Sequence, residues 1–209
     1  MFSENQEFKL IKEYIKQTDG EFRKPPKGAN YKANSAEHLN YLKKSFTNKR
    51  RINLDVNEPN TITDDALWEF IQLKKNLTDD QVQEYSRYHK IAMSVEGKLG
   101  SILEFFIYGA IRKYNWIWCS GNIVKDTDFL KKTKDNQWIA LQVKTSDNSE
   151  NNASSRVRVG TNIIKWYRRF SRKKNQDNWN ELCELVSKDD SLKTELNEEK
   201  YRQYIISKN

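Results

Sequence analysis

The chain has 209 residues, 36% of them hydrophobic and 32% charged, with a mean hydropathy of −0.95, which bounds it to one large domain, or one domain with a helical extension, under a very polar surface. A net charge of +8 and a pI near 9.3 favour a polyanionic partner, most simply nucleic acid. Two cysteines, two histidines and no P-loop or dinucleotide glycine pattern exclude a disulfide framework, zinc and Ser-His-Asp hydrolases, and nucleotide-driven or redox enzymes. No segment is apolar enough to span a bilayer, so a reduced cytoplasmic protein without membrane or nucleotide cofactor is expected.

Residues 4–17 read as an amphipathic helix with Phe8, Ile11 and Ile15 on one stripe. After Asp19-Gly20 and Pro25-Pro26, residues 35–46 read as a second helix started by Ser35. Lys49-Arg50-Arg51 reads as a solvated turn, with a DNA-backbone contact as its less favoured role. Thr63 is the expected N-cap of a helix running to about Lys75, with Asp64 and Asp65 where the dipole favours them. Thr78 and Gln81 form a capping box for the next helix, and Gly97 and Gly100 leave open whether that helix stops. Leu99, Leu103, Phe106 and Ala110 recur at helical spacing up to Tyr114-Asn115. Trp116 to Cys119 reads as a buried strand, Ser120-Gly121-Asn122 as a turn, and Asp128 to Lys144 as a hairpin. Residues 145–160 are polar and irregular; Thr161 then starts an expected helix turning Ile163, Tyr167 and Phe170 inward, followed by helices over 177–187 and 190–206. The expected organisation is a helical N-terminal region, 1–94, and a core with its C-terminal helices, 95–209, in one compact unit.

Alternation along Trp138, Ala140, Gln142 and Lys144 puts the last two side chains one pleat apart on one strand face. An acid, an amide and an amine converging there can hold a metal ion and poise a water, as phosphodiester hydrolysis requires. Asp128 is the primary metal-ligand candidate, the Val143 carbonyl a natural second ligand, and Lys144 the group that orients or activates the water or stabilises the transition state. Gln142 can ligate through its amide oxygen but carries no charge, so a further carboxylate is wanted. Glu104, beside an inward apolar stripe, is the best source. Asp126 competes with Asp128, and Glu96 with Glu104. The bland alternative is an ordinary half-buried strand ending in a solvated lysine, with the two aspartates as turn residues and Glu104 paired to Arg112 or Lys113.

Over residues 96–145 this arrangement resembles the PD-(D/E)XK nuclease superfamily: the helix Gly100-Ser-Ile-Leu-Glu104, the strand Trp116 to Cys119, Asp128-Phe-Leu and Gln142-Val-Lys144. Thr127 stands where that family has proline, and Gln142 where it has an acid. A narrower resemblance spans roughly 95–182, carried by Trp116 to Lys125, Leu141 to Asn151 and Gly160 to Tyr167, which are similar to the SinI family of type II restriction endonucleases. The resemblance implies an α/β restriction-endonuclease-like core with helix-rich N- and C-terminal extensions. It also implies Mg²⁺-dependent cleavage of double-stranded DNA by a homodimer at a short palindrome of GG(A/T)CC type, with Asp128, Gln142 and Lys144 at the metal and Glu104 assisting.

No acid occurs between Asn151 and Gln176, and the eight basic residues there equal the whole net charge. Read as a helix, the segment puts Lys165, Arg168, Arg169 and Arg172 on one phosphate-tracking face. The polar loop before it supplies groups that hydrogen-bond base edges: Ser146, Asp147, Asn148, Glu150, Asn151, Ser154, Ser155, Arg156 and Arg158. Arg156 and Arg158 suit guanine; Asp147 and Glu150 suit cytosine, or alternatively fix the loop or assist the metal. Rival readings are a structure-selective repair or recombination nuclease, a non-catalytic basic DNA-binding regulator and an RNA-binding protein.

Overall fold

The computed structural model describes residues 1–51, 55, 59–147, 162–172 and 177–208. They fall into two compact units, 53–101 and the combination of 1–52 with 102–209. The expected boundary at 94/95 is therefore replaced: the first two helices belong with the sheet.

In the larger unit, α1 (Glu4–Gln17) begins at Ser3, which forms a capping box with Gln6. Ser35 caps α2 (Ala36–Asn48) by accepting from the His38 N–H. The smaller unit contains α3 (Asp65–Lys75), capped by Asp64 rather than Thr63, because the Asp64 carboxylate takes the Leu67 N–H. Helix α4 (Asp79–Ile111) starts at the Thr78–Gln81 capping box, with both reciprocal bonds formed, and passes straight through Gly97 and Gly100. Its last ten residues belong to the larger unit, and there burial begins, at Ile102, Leu103, Ile107 and Tyr108. A 3₁₀ turn (Arg112–Tyr114) closes the helix, with Asn115 in the left-handed region.

Next come β1 (Trp116–Trp118), β2 (Phe129–Lys132), β3 (Trp138–Ser146) and β4 (Ile163–Arg169), in the sheet order β1-β2-β3-β4. The first three form an antiparallel meander whose second and third strands are the expected hairpin; β4 runs parallel to β3, with Gln142 opposite Lys165 and Lys144 opposite Tyr167. This corrects the expectation of a helix after Thr161. Ile-Ile-Lys-Trp-Tyr is β-branched and aromatic, and a neighbouring strand on one side outweighs an apolar spacing that also suits a helix. After β4, α5 (Trp179–Val186) fits the expected helix, whereas the single helix expected over 190–206 is two, α6 (Leu192–Glu195) and α7 (Glu198–Ile206), separated where Asn197 caps α7.

Helices cover both sheet faces. On one, Ile117, Leu130 and Ala140 pack with Phe8, Ile11, Leu42 and Phe46 of α1 and α2. Each such side chain stabilises the fold by about 1.5–3 kcal/mol. On the other, Trp118 meets Phe105 edge-on at 5.7 Å, and Trp166, Trp179, Phe106 and Tyr201 interlock at ring spacings of 5.1–5.9 Å. Among the described residues no helix is long and apolar enough to cross a membrane.

Candidate active site

The sheet forks at Asp128. Its N–H still donates to the Leu141 carbonyl at 2.9 Å, extending the β2–β3 ladder, and its carbonyl accepts from the Cys119 N–H at 2.8 Å. Two residues further along β3 a side chain takes over from the backbone: Asp128 Oδ2 accepts from the Val143 N–H at 2.8 Å. From Gln142 to Ser146 β3 pairs with β4 and no longer with β2. The fork thus opens beside Asp128 while the carboxylate satisfies a buried N–H that would otherwise cost free energy.

Gln142 is buried and Lys144 half-buried two residues later, as the alternation of β3 requires. Glu104 comes to the same place from α4. Its Oε2 accepts from Trp118 Nε1 at 2.9 Å, while Lys113 pairs with Glu195 and Arg112 lies over the Tyr108 ring. Burial is the main force pushing the Glu104 carboxyl up to about 8; the Asp128 carboxylate adds to the rise, while the Trp118 N–H and the Lys144 ammonium oppose it. Glu104, Asp128 and Lys144 are therefore electrostatic neighbours. Asp126 lies instead in a left-handed turn, lining a groove with Tyr14, Lys125 and Trp138, and Glu96 belongs to the 53–101 unit.

A buried carboxyl whose proton affinity is raised by a neighbouring carboxylate marks a place where a cation would relieve repulsion. The neutral oxygens that β3 carries beside Asp128, the Gln142 amide and the Val143 carbonyl, are hard donors of the kind Mg²⁺ takes, with one or two carboxylates and the rest supplied by water and phosphate. Among the described residues no three of His, Cys, Asp and Glu converge to hold a metal.

The expected DNA-facing residues divide. With β4 a strand, the single helical face of Lys165, Arg168, Arg169 and Arg172 no longer exists. Lys165 and Arg169 share the sheet face of their partners Gln142 and Ser146, whereas alternation puts Arg168 on the face of buried Trp166. There Arg168 pairs with Glu198 of α7 at 2.6 Å, a structural ion pair; Arg169 also reaches Glu198, at 3.0 Å, but stays exposed. Arg172 is exposed in the turn after β4. Asp147 accepts from the Ser171 N–H at 2.7 Å, tying the ends of β3 and β4 together, so it is a loop-fixing group; that bond holds its carboxyl below the usual range. Asn148, Glu150, Asn151, Ser154, Ser155, Arg156 and Arg158 lie outside the described residues.

Two residues at the site escaped the sequence reading. Trp118 was recognised only as core, although the alternating Trp-Ile-Trp signals a ring with a donor on one sheet face. Arg50 is the larger surprise. Its side chain does not point into solvent: it is 9% exposed, with its guanidinium 4.1 Å from the Phe46 ring centroid and donating to Glu7, Tyr108, Ser120 and the Trp118 carbonyl. Burial pushes the Glu7 carboxyl up, opposed by the Tyr108 hydroxyl and Arg50.

Comparison with known proteins gives a consistent answer. The family model described as SinI restriction endonuclease matches residues 19–208. The chain is 32% identical over 200 residues to the type II restriction enzyme Eco47I of Escherichia coli, covering 95% of this chain and 84% of that one. It is 33% identical over 173 residues to the type II restriction enzyme SinI of Salmonella infantis, covering 82% and 72% respectively.

Proposed function

We propose, for a chain that belongs to the SinI restriction endonuclease family and is a type II site-specific deoxyribonuclease, that Glu104, Asp128, Gln142 and Lys144 cut duplex DNA with Mg²⁺. The cut falls at a short palindrome of GG(A/T)CC type, and a cytoplasmic homodimer makes it, its two-fold axis matching that of the site. The core is read as a PD-(D/E)XK fold, supported by a helix, a three-strand meander and a fourth strand parallel to the third. The observation that carries the reading is the geometry at the fork of β2 and β3, where Asp128 Oδ2 takes the Val143 N–H between Gln142 and Lys144 and Glu104 Oε2 takes the Trp118 N–H of β1.

Asp128 and Glu104 would hold the cation, with the Gln142 amide and the Val143 carbonyl as neutral oxygen donors. When bound, Mg²⁺ supplies charge stabilisation of the phosphoryl oxygens and lowers the pKa of water. Lys144 orients the attacking water on the scissile phosphate and offsets charge on the pentavalent transition state. Lys165 and Arg169, beside the catalytic strand, hold the phosphate backbone, with Arg172 at its end. The segment from Ser146 to Arg158, including Asn148, Glu150, Asn151, Ser154, Ser155 and Arg156, reads base edges; Asp147 shapes it by its bond to Ser171.

Digestion of a long unmethylated duplex with Mg²⁺ tests this, comparing wild type with Asp128→Ala and Lys144→Ala. Discrete fragments from wild type alone are expected, and their ends map the recognition site. Folded wild type that binds the duplex without cutting it would sink the catalytic assignment.

A further inference from the structure

The cluster around Arg50 is used by none of the cleavage roles above, yet it reaches the site through one side chain. Arg50 follows the C-cap of α2 and donates to the Trp118 carbonyl at 3.0 Å, to Ser120 Oγ at 3.2 Å and to the Tyr108 hydroxyl at 3.2 Å. Tyr108 donates to Glu7 of α1 at 2.6 Å. The Trp118 ring is walled by Phe105, Tyr108 and the Arg50 guanidinium, with centroid distances of 5.7, 5.5 and 5.5 Å. Tyr108 lies one helical turn after Glu104, so α4 is pinned to the cluster on the same side that carries the acid. A tryptophan whose carbonyl and ring are both held has little freedom, and its single N–H is aimed at Glu104 Oε2, 2.9 Å away. A group that donates to a metal-binding carboxylate fixes which oxygen and which direction remain for the metal.

We infer that Trp118 is the positioning residue for Glu104, its indole N–H setting the orientation in which that carboxylate meets the metal ion. The inference rests on Glu104 being a ligand, as proposed above.

Trp118→Phe keeps an aromatic ring in the core and deletes only the donor. Mn²⁺ binding to the full-length protein without DNA, followed by calorimetry, is expected to weaken about tenfold. Cleavage kcat should fall by a similar factor, while metal-free affinity for duplex DNA stays unchanged. Glu104→Ala is measured beside it. If Glu104→Ala weakens Mn²⁺ binding and Trp118→Phe does not, Trp118 is a core aromatic and the inference falls, while the ligand assignment stands. If Glu104→Ala leaves Mn²⁺ binding intact, the ligand assignment falls and takes the inference with it. In the Glu104→Ala background Trp118→Phe should add no further loss; an equal further loss would show that it acts elsewhere. The wild type offers a second readout that needs no folded variant. Titration with Mg²⁺ should shift the indole N–H resonance of Trp118 in step with binding, and an unmoved resonance at saturation overturns the inference.

Discussion

The two compact units differ in how they are built and charged. The larger one wraps a four-stranded sheet in helices and buries a continuous core. In the 53–101 unit none of the described residues is buried, and Leu67, Phe70 and Leu73 of α3 stand exposed. Residues 53–101 hold five Lys or Arg against nine Asp or Glu, a net of −4, so the other 160 residues carry +12. Helix α4 belongs to both and changes character at Ile102. The lesson is that one helix can carry a solvated acidic half and a buried half that brings Glu104 to the sheet. Whole-chain charge hides the difference, because the part meant to meet DNA is more basic than the average.

Substitutions can break this contrast or sharpen it. The largest effects belong to the fork in the sheet unit. Asp128→Asn and Lys144→Ala should each lower kcat by at least about a thousandfold, roughly 4 kcal/mol of barrier, with the melting profile nearly kept; single-turnover cleavage measures it. Arg50→Met leaves Glu7 buried without its cation, so denaturant unfolding should reveal a loss of about 3 kcal/mol. A loss under 1 kcal/mol would return Arg50 to the surface role its neighbours suggested.

The pH dependence of stability follows from Glu104. Its carboxyl moves from an ordinary 4.5 up to about 8 in the folded chain, chiefly by burial and then by Asp128. The folded, metal-free state therefore holds this proton more tightly than the unfolded chain. Stability from this group is whole below pH 4.5 and declines as pH rises through 8. Glu104→Gln should melt higher than wild type at pH 8, lose the advantage below pH 4.5, and lose it at any pH when wild type is saturated with Mg²⁺. Thermal scans across pH, with and without Mg²⁺, decide this.

Smaller still, Lys165→Ala should weaken DNA binding uniformly across sequences and reduce the salt slope by about one. Salt titrations of a cognate and a random duplex would expose any sequence-selective effect. Smallest of all, Phe70→Ser in the acidic unit should change the unfolding free energy by no more than about 0.5 kcal/mol, since its ring is already 60% exposed. A larger loss would mean that the two units are not as differently built as their burial indicates.

Local pattern made the meander, the capped helices and the fork residues legible in the sequence. Strand alternation and caps depend on neighbours within a few residues, so Trp138 to Lys144, Ser35 and the Thr78–Gln81 box could be read directly. Thr63 and Asp64 are adjacent oxygen-bearing caps, and only the bond to Leu67 separates them. β4 was misread because Ile163, Tyr167 and Phe170 satisfy a helical stripe as well as a strand, and its parallel partner lies beyond a crossover of more than a dozen residues. Arg50 was illegible for a related reason. Every group that receives its hydrogen bonds is at least 43 residues away along the chain, so nothing near it distinguishes it from Lys49 or Arg51.

Cys119 gives the fork a built-in clock. Its thiol is buried, and that burial, with Asp128 and Glu7 nearby, pushes its pKa well above the ordinary value, so the closed protein offers no thiolate to a reagent. Its N–H holds the carbonyl of Asp128. A thiol reagent can reach Cys119 only when the core in which it packs with Phe8, Ile11 and Leu42 opens, so its labelling rate counts the openings of the sheet beside Asp128. A cation that clamps Asp128 to Glu104 should slow that count in proportion to its occupancy, giving a measure of metal binding that needs neither DNA nor cleavage.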